Sequence, residues 1–320
     1  MTNLLASIMR YMAERLLVVV NPNTTGVRRI KSEVLQILDE TRTIYQTFYT
    51  PSPAFEENVD AMQHVFRDGD RIVIAAGDGT VAQAVNAVLR NNHKNSEIAP
   101  LPYGGSNDLA DRETGVLDVI DDRASHQIRY PLQILVNGET FRYSLGYTTL
   151  GFTALAAASF STPQSRATPR SQNAFLKQVT QIAQLGREYF KQRETFLPVY
   201  RTNDSVTPHR DITDILLINN KRVGSIMNFP IDFGTSESFG VVEHDVSRVS
   251  VNNFTFGLMA LAGIAPCDEK TDHYIHFIER GVVPMQTEGE FISLTDVKTI
   301  SAHKDRATRV TIIRPERSSQ

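Results

Sequence analysis

The chain has 320 residues, of which 41% are hydrophobic and 22% charged, with a formal net charge of -3. That is enough apolar material for two globular domains with cores of their own, and it excludes a disordered chain. The charge shows no basic excess of the kind nucleic-acid proteins carry, and the single cysteine, Cys267, excludes an internal disulfide and any multi-cysteine zinc site, which suits a reducing cytosol.

No apolar run reaches the ~18 residues of a membrane span, and no signal-peptide cleavage region is evident. A cytoplasmic protein is expected, with peripheral contact to a membrane left open. Over residues 1–14, Leu4, Leu5, Ile8, Met9 and Met12 recur at helix-like intervals. This extension reads either as a short amphipathic membrane-touching segment or as an accessory helix upstream of a start at Met9 or Met12.

From Leu16 the pattern alternates between strand and helix. Leu16 to Val20 is a short apolar run of the kind a buried parallel strand needs, and Val27, Ile30, Val34, Ile37 and Leu38 follow at helical spacing. Tyr45 to Tyr49 reads as a second strand, with Phe55, Val59, Met62 and Phe66 as the inner face of a second helix. Ile72 to Ala75 and Ile98 to Leu101 are the next two strands, separated by a helix bearing Val81, Val85, Val88 and Leu89. Four such units imply an α/β domain with a doubly wound parallel sheet and ligands at the carboxyl ends of its strands.

After about Asp122 the period changes to two. Ile128 to Val136 and Thr140 to Leu150 flank Asn137-Gly138, a strong hairpin signal. Further strands are expected at Ile212–Asn219, Tyr274–Glu279, Val282–Gln286, Glu290–Leu294 and Arg309–Ile313. Helices are expected near Asn173–Lys191 and Phe254–Ile264, and Ser161–Gln172 is a polar loop. The second half is therefore a β-rich, mainly antiparallel sandwich domain. The expected division is 1–14 extension, 15–125 α/β domain, 126–305 β-rich domain and 306–320 terminal strand or tail.

Two glycine-punctuated turns stand where a strand runs into a helix: Gly77-Asp78-Gly79-Thr80, and Gly104-Gly105-Ser106-Asn107-Asp108. The first N–H groups of a helix have no internal partner and carry the positive end of its dipole, so a phosphate binds there if the backbone comes close, as glycine allows. Asp78 would repel a phosphate unless it serves a magnesium ion or a structural hydrogen bond. Neither turn has the G-x-G-x-x-G or Walker spacing, so the two commonest phosphate loops do not explain them.

What these segments resemble is the diacylglycerol kinase catalytic family, which includes bacterial lipid kinases and sphingosine kinases and is distantly related to NAD kinases. The resemblance rests on Asn21-Pro22-Asn23-Thr24-Thr25-Gly26, on Gly77-Asp78-Gly79-Thr80 and on Pro102 to Asp108, in that order. It implies an ATP-dependent lipid kinase using Mg2+. Asn21 to Thr25 and Thr50 would contact the nucleotide, Gly77 to Thr80 would lie beside the phosphates with Asn86 supporting the turn, and Gly104, Gly105, Asn107 and Asp108 would complete the crevice.

In the β-rich half, Pro284 to Glu290 resembles the family's Asp-Gly-Glu segment, with Glu288 in the aspartate's place. Glu290 is the first candidate for the base that takes the acceptor's proton, and Glu288 is the second or its metal partner. Read without the resemblance, Glu-Gly-Glu is a hairpin turn. The sequence departs from the family at Gly105, where threonine is usual, and at Tyr130-Pro131, where a Val-Asp pair is usual, so an acidic partner is missing. In the family's metal segment the nearest acid is Glu237, which is carried as a candidate metal ligand beside Asp78.

The acceptor implied is a lipid alcohol at a membrane surface, diacylglycerol-like, and a homodimer is compatible with the sequence. Phe152, Phe160, Phe175, Leu176 and Phe229 are candidates for an acyl groove, with core packing the alternative for each. His273 and His276 should point to opposite faces of a strand and bind no metal. Two rivals stand: an NAD kinase, against which Ala76 and the Pro102–Asp108 segment argue, and a nucleotide-binding regulatory homologue without transfer.

Overall fold

The structure is a computed structural model, and it describes residues 15–24, 26–104, 107–110, 114–120, 124–151, 153–155, 197–202, 210–223, 227–245, 259–260 and 262–315. The extension 1–14, Thr25, Gly105, Phe152, Phe160, Phe175 and Leu176 lie outside these residues, as do the loop Ser161–Gln172 and the helix expected at Asn173–Lys191. The chain divides into two compact units, residues 1–131 with 305–320, and residues 132–304.

The first unit is built on a sheet of β1 (Leu16–Val20), β2 (Gln46–Tyr49), β3 (Arg71–Ala76), β4 (Glu97–Pro102), β5 (Ser125–Arg129) and β17 (Val310–Arg314), in the order β2-β1-β3-β4-β17-β5. The first four strands are mutually parallel. The short apolar runs become strands because they are buried on both faces: Val18, Val20, Val73 and Ala75 on one, Leu17, Val19, Ile72 and Ile74 on the other. Each of the Val, Leu and Ile side chains contributes ~1.5–3 kcal/mol on burial.

Four connections carry helices. Between β1 and β2 the chain forms α1 (Val27–Ile30), a π-helical turn (Lys31–Leu35) and α2 (Gln36–Glu40). This widened turn was not legible in the periodicity, yet Ile30, Val34 and Leu38 still share one buried face, packed with the short α5 (Val116–Ile120) over Val18, Val20, Val73 and Leu101. The other two helices, α3 (Phe55–Val65) and α4 (Asp78–Arg90), pack against one another. Gly77 is the N-cap residue of α4, so the first glycine turn ends where that helix begins.

The terminal strand is inserted, not appended. β17 runs parallel to β4 and antiparallel to β5, pairing Ile312 with Ile98 on one side and with Gln127 on the other.

In the second unit the strands are β6 (Leu132–Val136), β7 (Glu139–Ser144), β8 (Tyr147–Gly151), β9 (Leu197–Thr202), β10 (Arg210–Ile218), β11 (Arg222–Val223), β12 (Met227–Asn228), β13 (Phe239–Asp245), β14 (Asp268–Lys270), β15 (Asp272–Thr287) and β16 (Glu290–His303). Among the described residues they form one sheet in the order β14-β13-β10-β8-β15-β16-β6-β7, with β9 pairing β10 and β15, and a separate β11-β12 hairpin. The Asn137-Gly138 turn has positive φ at both residues (52° and 89°), the type I′ geometry the dipeptide favours.

Three strand expectations need correction. Ile128–Val136, expected to be continuous, breaks at Tyr130-Pro131 into β5 and β6, which belong to different sheets. Tyr274–Glu279 and Val282–Gln286 are halves of the single strand β15, whose register shifts around Gly281, so an irregularity mimicked a loop. Thr140–Leu150, expected to be continuous, breaks at Leu145-Gly146 into β7 and β8. Of the helix expected at Phe254–Ile264, the described residues 259–260 and 262 are helical.

Because β17 lies between β4 and β5, ending the chain at Arg309 removes the partner of both. The first unit is expected to lose its cooperative transition while the second keeps one, a difference that chemical denaturation followed by circular dichroism on the truncated and full chains will reveal.

Candidate active site

Three strand ends of the first unit converge on one point, and glycine is what lets them. A Cβ on Gly104 would stand 2.2 Å from the Gly77 Cα, and one on Gly26 would stand 2.7 Å from the Tyr103 carbonyl oxygen. No side chain fits at either contact. The loops after β1, β3 and β4 therefore touch backbone to backbone, which brings the three sequence motifs together.

Hydrogen bonds hold that arrangement. Asn21 Nδ2 donates to Thr80 Oγ1 at 3.3 Å and Thr24 Oγ1 to the Tyr103 carbonyl at 2.8 Å. The Asn21 side chain also accepts from the Asn23 N–H at 2.9 Å, shaping the first loop as an Asx turn, with Pro22 and Asn23 exposed. Asn107, at φ 56°, accepts from the Gly104 N–H at 2.8 Å and donates back to the Gly104 carbonyl at 3.0 Å. Asn86 sits buried in α4 and donates to the Ala82 carbonyl of its own helix.

Asp78 is the central fastening. Its two carboxylate oxygens accept the backbone N–H groups of Asp108 at 2.8 Å and Leu109 at 3.1 Å, so the first residue of α4 clamps the loop after β4. This is the structural hydrogen bond named above as one reason for an aspartate here. Although the residue as a whole keeps some exposure, its carboxyl is buried, and burial and then the Asp108 charge push its pKa from 3.8 up to about 6.

The geometry suits a metal nucleotide in two respects. Thr50, at the end of β2, is buried with a hydroxyl that has no hydrogen-bond partner, an unmet polar group beside Val20, whose carbonyl accepts the Thr50 N–H. The Asp108 charge adds to the burial that raises the Asp78 pKa, a strain that a divalent cation held by carboxylate and phosphate oxygens would relieve. Among the described residues no three His, Cys, Asp or Glu side chains gather as a metal cluster, at Glu237 or elsewhere.

A cavity of about 380 Å³ adjoins these loops on the side of α1 and α5. Tyr103 lines it, donating to Glu33 at 3.2 Å, with the Arg29 guanidinium 5.5 Å from the ring centroid. Burial and the Glu33 carboxylate push the Tyr103 hydroxyl up to about 12.

In the second unit Glu288 and Gly289 form the turn between β15 and β16, both at positive φ (51° and 83°). Buried Glu288 Oε1 accepts from Ser144 Oγ at 2.7 Å and the Gly146 N–H at 2.6 Å, while Arg142 donates to Glu290 at 2.6 Å. Ser144, Gly146 and Arg142 were missed in the sequence because the β7-β8 break was read as continuous strand. Its one visible sign is a glycine inside a strand pattern.

Residues 15–140 match the model of the diacylglycerol kinase catalytic domain. The family resemblance read from the motifs holds over that segment, and it includes all three loops. A curated relative, the probable lipid kinase YegS-like protein of Shewanella frigidimarina (strain NCIMB 400), is 30% identical over 162 residues, 48% of this chain and 47% of the relative. The match thus spans about half the length of that relative. A solved diacylglycerol kinase structure from Bacillus anthracis str. Sterne superposes with a TM-score of 0.62 at 14% identity, covering 94% of this chain and 97% of that one. A second structure from the same organism gives 0.64, also at 14% identity, over 95% and 98%. At such identity these structures show a shared fold across both units.

Two outcomes are expected. Gly104→Ala should cost more than ~2 kcal/mol or displace the loop, since the clash is with backbone, measurable as a lower Tm. Asp78 binds its proton more tightly folded than unfolded, so its contribution to stability falls as pH rises from 3.8 to about 6 and is level above. Asp78→Asn removes that titration. The stability of the native chain relative to the variant should therefore decline across this window in matched thermal melts.

Proposed function

We propose that the protein is an ATP-dependent lipid kinase that transfers the γ-phosphoryl group of Mg-ATP to a diacylglycerol-like lipid hydroxyl. The observation that carries this reading is the backbone contact of Gly77 with Gly104, clamped by Asp78, in a segment that matches a kinase catalytic domain. Bound Mg-ATP supplies an activated phosphoryl group whose charge the metal neutralises. The strand-end loops hold the phosphates against backbone, and the N-terminus of α4 contributes its dipole. Thr50 offers its unpartnered hydroxyl to the nucleotide.

In the transfer, the acceptor oxygen forms a bond to the γ-phosphorus as the bond to the β-phosphate oxygen breaks, ADP leaves, and the hydroxyl proton goes to a carboxylate. We assign that carboxylate to Glu290. Its side chain is 36% exposed, which keeps it within reach of a substrate, and the Arg142 guanidinium fixes its orientation. Glu288 fits a positioning role better, being buried and committed to Ser144 and Gly146.

Glu290→Gln should lower turnover by ~10²–10⁴-fold with ATP affinity unchanged. Glu288→Gln should be milder in turnover and should lower Tm; the reverse ranking moves the base to Glu288. The activity itself is tested with radiolabelled ATP and a total lipid extract, products being separated and identified. A labelled phospholipid is expected. Phosphorylated NAD without lipid product would replace this reading with an NAD kinase, and nucleotide binding without any product with a regulatory protein.

A further inference from the structure

The outer face of the second unit's sheet carries a hydrogen-bonded row of polar side chains that phosphoryl transfer does not use. Along β15 and β16 side chains alternate: His273, Ile275, Ile300 and Ala302 are buried, so Asp272, Tyr274, Ser301 and His303 stand on the opposite face. The register pairs Asp272 with His303 and Tyr274 with Ser301. Asp272 and His303, 31 positions apart in the chain, are thereby brought side by side.

The hydrogen bonds run in one direction. His303 Nδ1 lies 2.6 Å from Asp272 Oδ1, and a carboxylate only accepts, so Nδ1 carries the proton. In the neutral ring Nε2 is then the acceptor, and it lies 3.1 Å from Ser301 Oγ, whose hydroxyl donates to it. Thr271 Oγ1 donates to the second oxygen of Asp272 at 3.2 Å, and the Tyr274 ring meets the imidazole edge-on, with centroids 5.0 Å apart. The imidazole is thus held by neighbours and only 23% exposed, while Ser301 is partly exposed. As an exposed ion pair this arrangement adds little stability. As chemistry it is the order in which acyl-transfer enzymes of unrelated folds prepare a hydroxyl for attack: the carboxylate fixes the tautomer, the imidazole takes the proton, and the serine oxygen becomes the nucleophile.

We propose that Ser301 is a site of covalent acylation, taking the acyl group of an activated ester through its relay of His303 and Asp272. Ser301 Oγ forms a bond to the carbonyl carbon as the bond to the leaving oxygen breaks, and the serine proton passes to His303 Nε2 and from there to the departing oxygen or to water. The product is an ester on Ser301. β16 is paired on both sides at this residue, with Tyr274 of β15 and Leu135 of β6, so the backbone N–H groups there serve the ladder instead of gathering at an oxyanion. The site therefore accepts acyl groups from donors that leave easily and hydrolyses the ester slowly. Neither nucleotide nor lipid alcohol takes part, so the acylation is independent of phosphoryl transfer.

The test is reaction of the full chain with p-nitrophenyl acetate, following release of p-nitrophenolate and mapping acetylated peptides by mass spectrometry. A burst approaching one equivalent is expected, followed by slow turnover, with the acetyl group on Ser301. Ser301→Ala should abolish the burst, and His303→Gln should slow it by ~10²-fold or more. Asp272→Asn presents an amide donor to Nδ1 and moves the ring proton to Nε2, which should slow it by about tenfold or more. Native Tm in all three variants would show that they are folded, and the mapping on the native chain needs no variant. Absence of a burst overturns the proposal, as does acetyl found on lysines and not on Ser301. So does a burst that survives in Ser301→Ala, which would make the imidazole the nucleophile, or one that Asp272→Asn leaves unchanged.

Discussion

The first unit depends on an approach of two backbones that leaves no room for a side chain. Gly77 and Gly104 meet across adjacent parallel strands, and the Asp78 carboxylate secures the contact by accepting two N–H groups from the facing loop. Strand-end loops otherwise diverge. Here a buried charge, costly to desolvate, holds them together through two charge-assisted hydrogen bonds. Loops held in this way would have less entropy to lose on binding the proposed nucleotide.

The same clamp leaves an electrostatic imbalance. Burial first and then the Asp108 charge make the Asp78 carboxylate harder to bear, although it stands at the positive end of α4. The proposed magnesium ion would relieve that charge. The candidate base region works differently: Glu288 is satisfied by neutral donors at the strand break after Ser144, and Glu290 by the guanidinium of Arg142 within β7. Each unit thus has carboxylates of its own, held by contacts internal to that unit.

Legibility in the sequence followed the range of the interaction. The run Leu16–Val20, the helical face through Ile30, Val34 and Leu38, and Asn137-Gly138 are local patterns, and each was read as it stands in the structure. The loops were legible because glycine and asparagine report backbone demands directly. Less could be read where a contact partner lies far along the chain. No local signal gives the order of β17 between β4 and β5, the continuity of β15 through its register shift, or the pairing of Arg142 with Glu290 across 148 residues. Asp78 marks the boundary between the two cases: its type was notable in sequence, but its hydrogen-bonding partners were visible only in three dimensions.

The inserted terminal strand makes the first unit discontinuous, and this affects how it is made. On a ribosome the strands β1 to β5 emerge first, yet the gap between β4 and β5 is filled by residues synthesised after the whole second unit. At ~5–20 residues per second the wait is on the order of ten seconds or more, during which two strand edges stand unpaired. The nascent chain therefore passes through a state in which the later unit can close before the earlier one, and its unsatisfied edges are the natural place for a chaperone to bind.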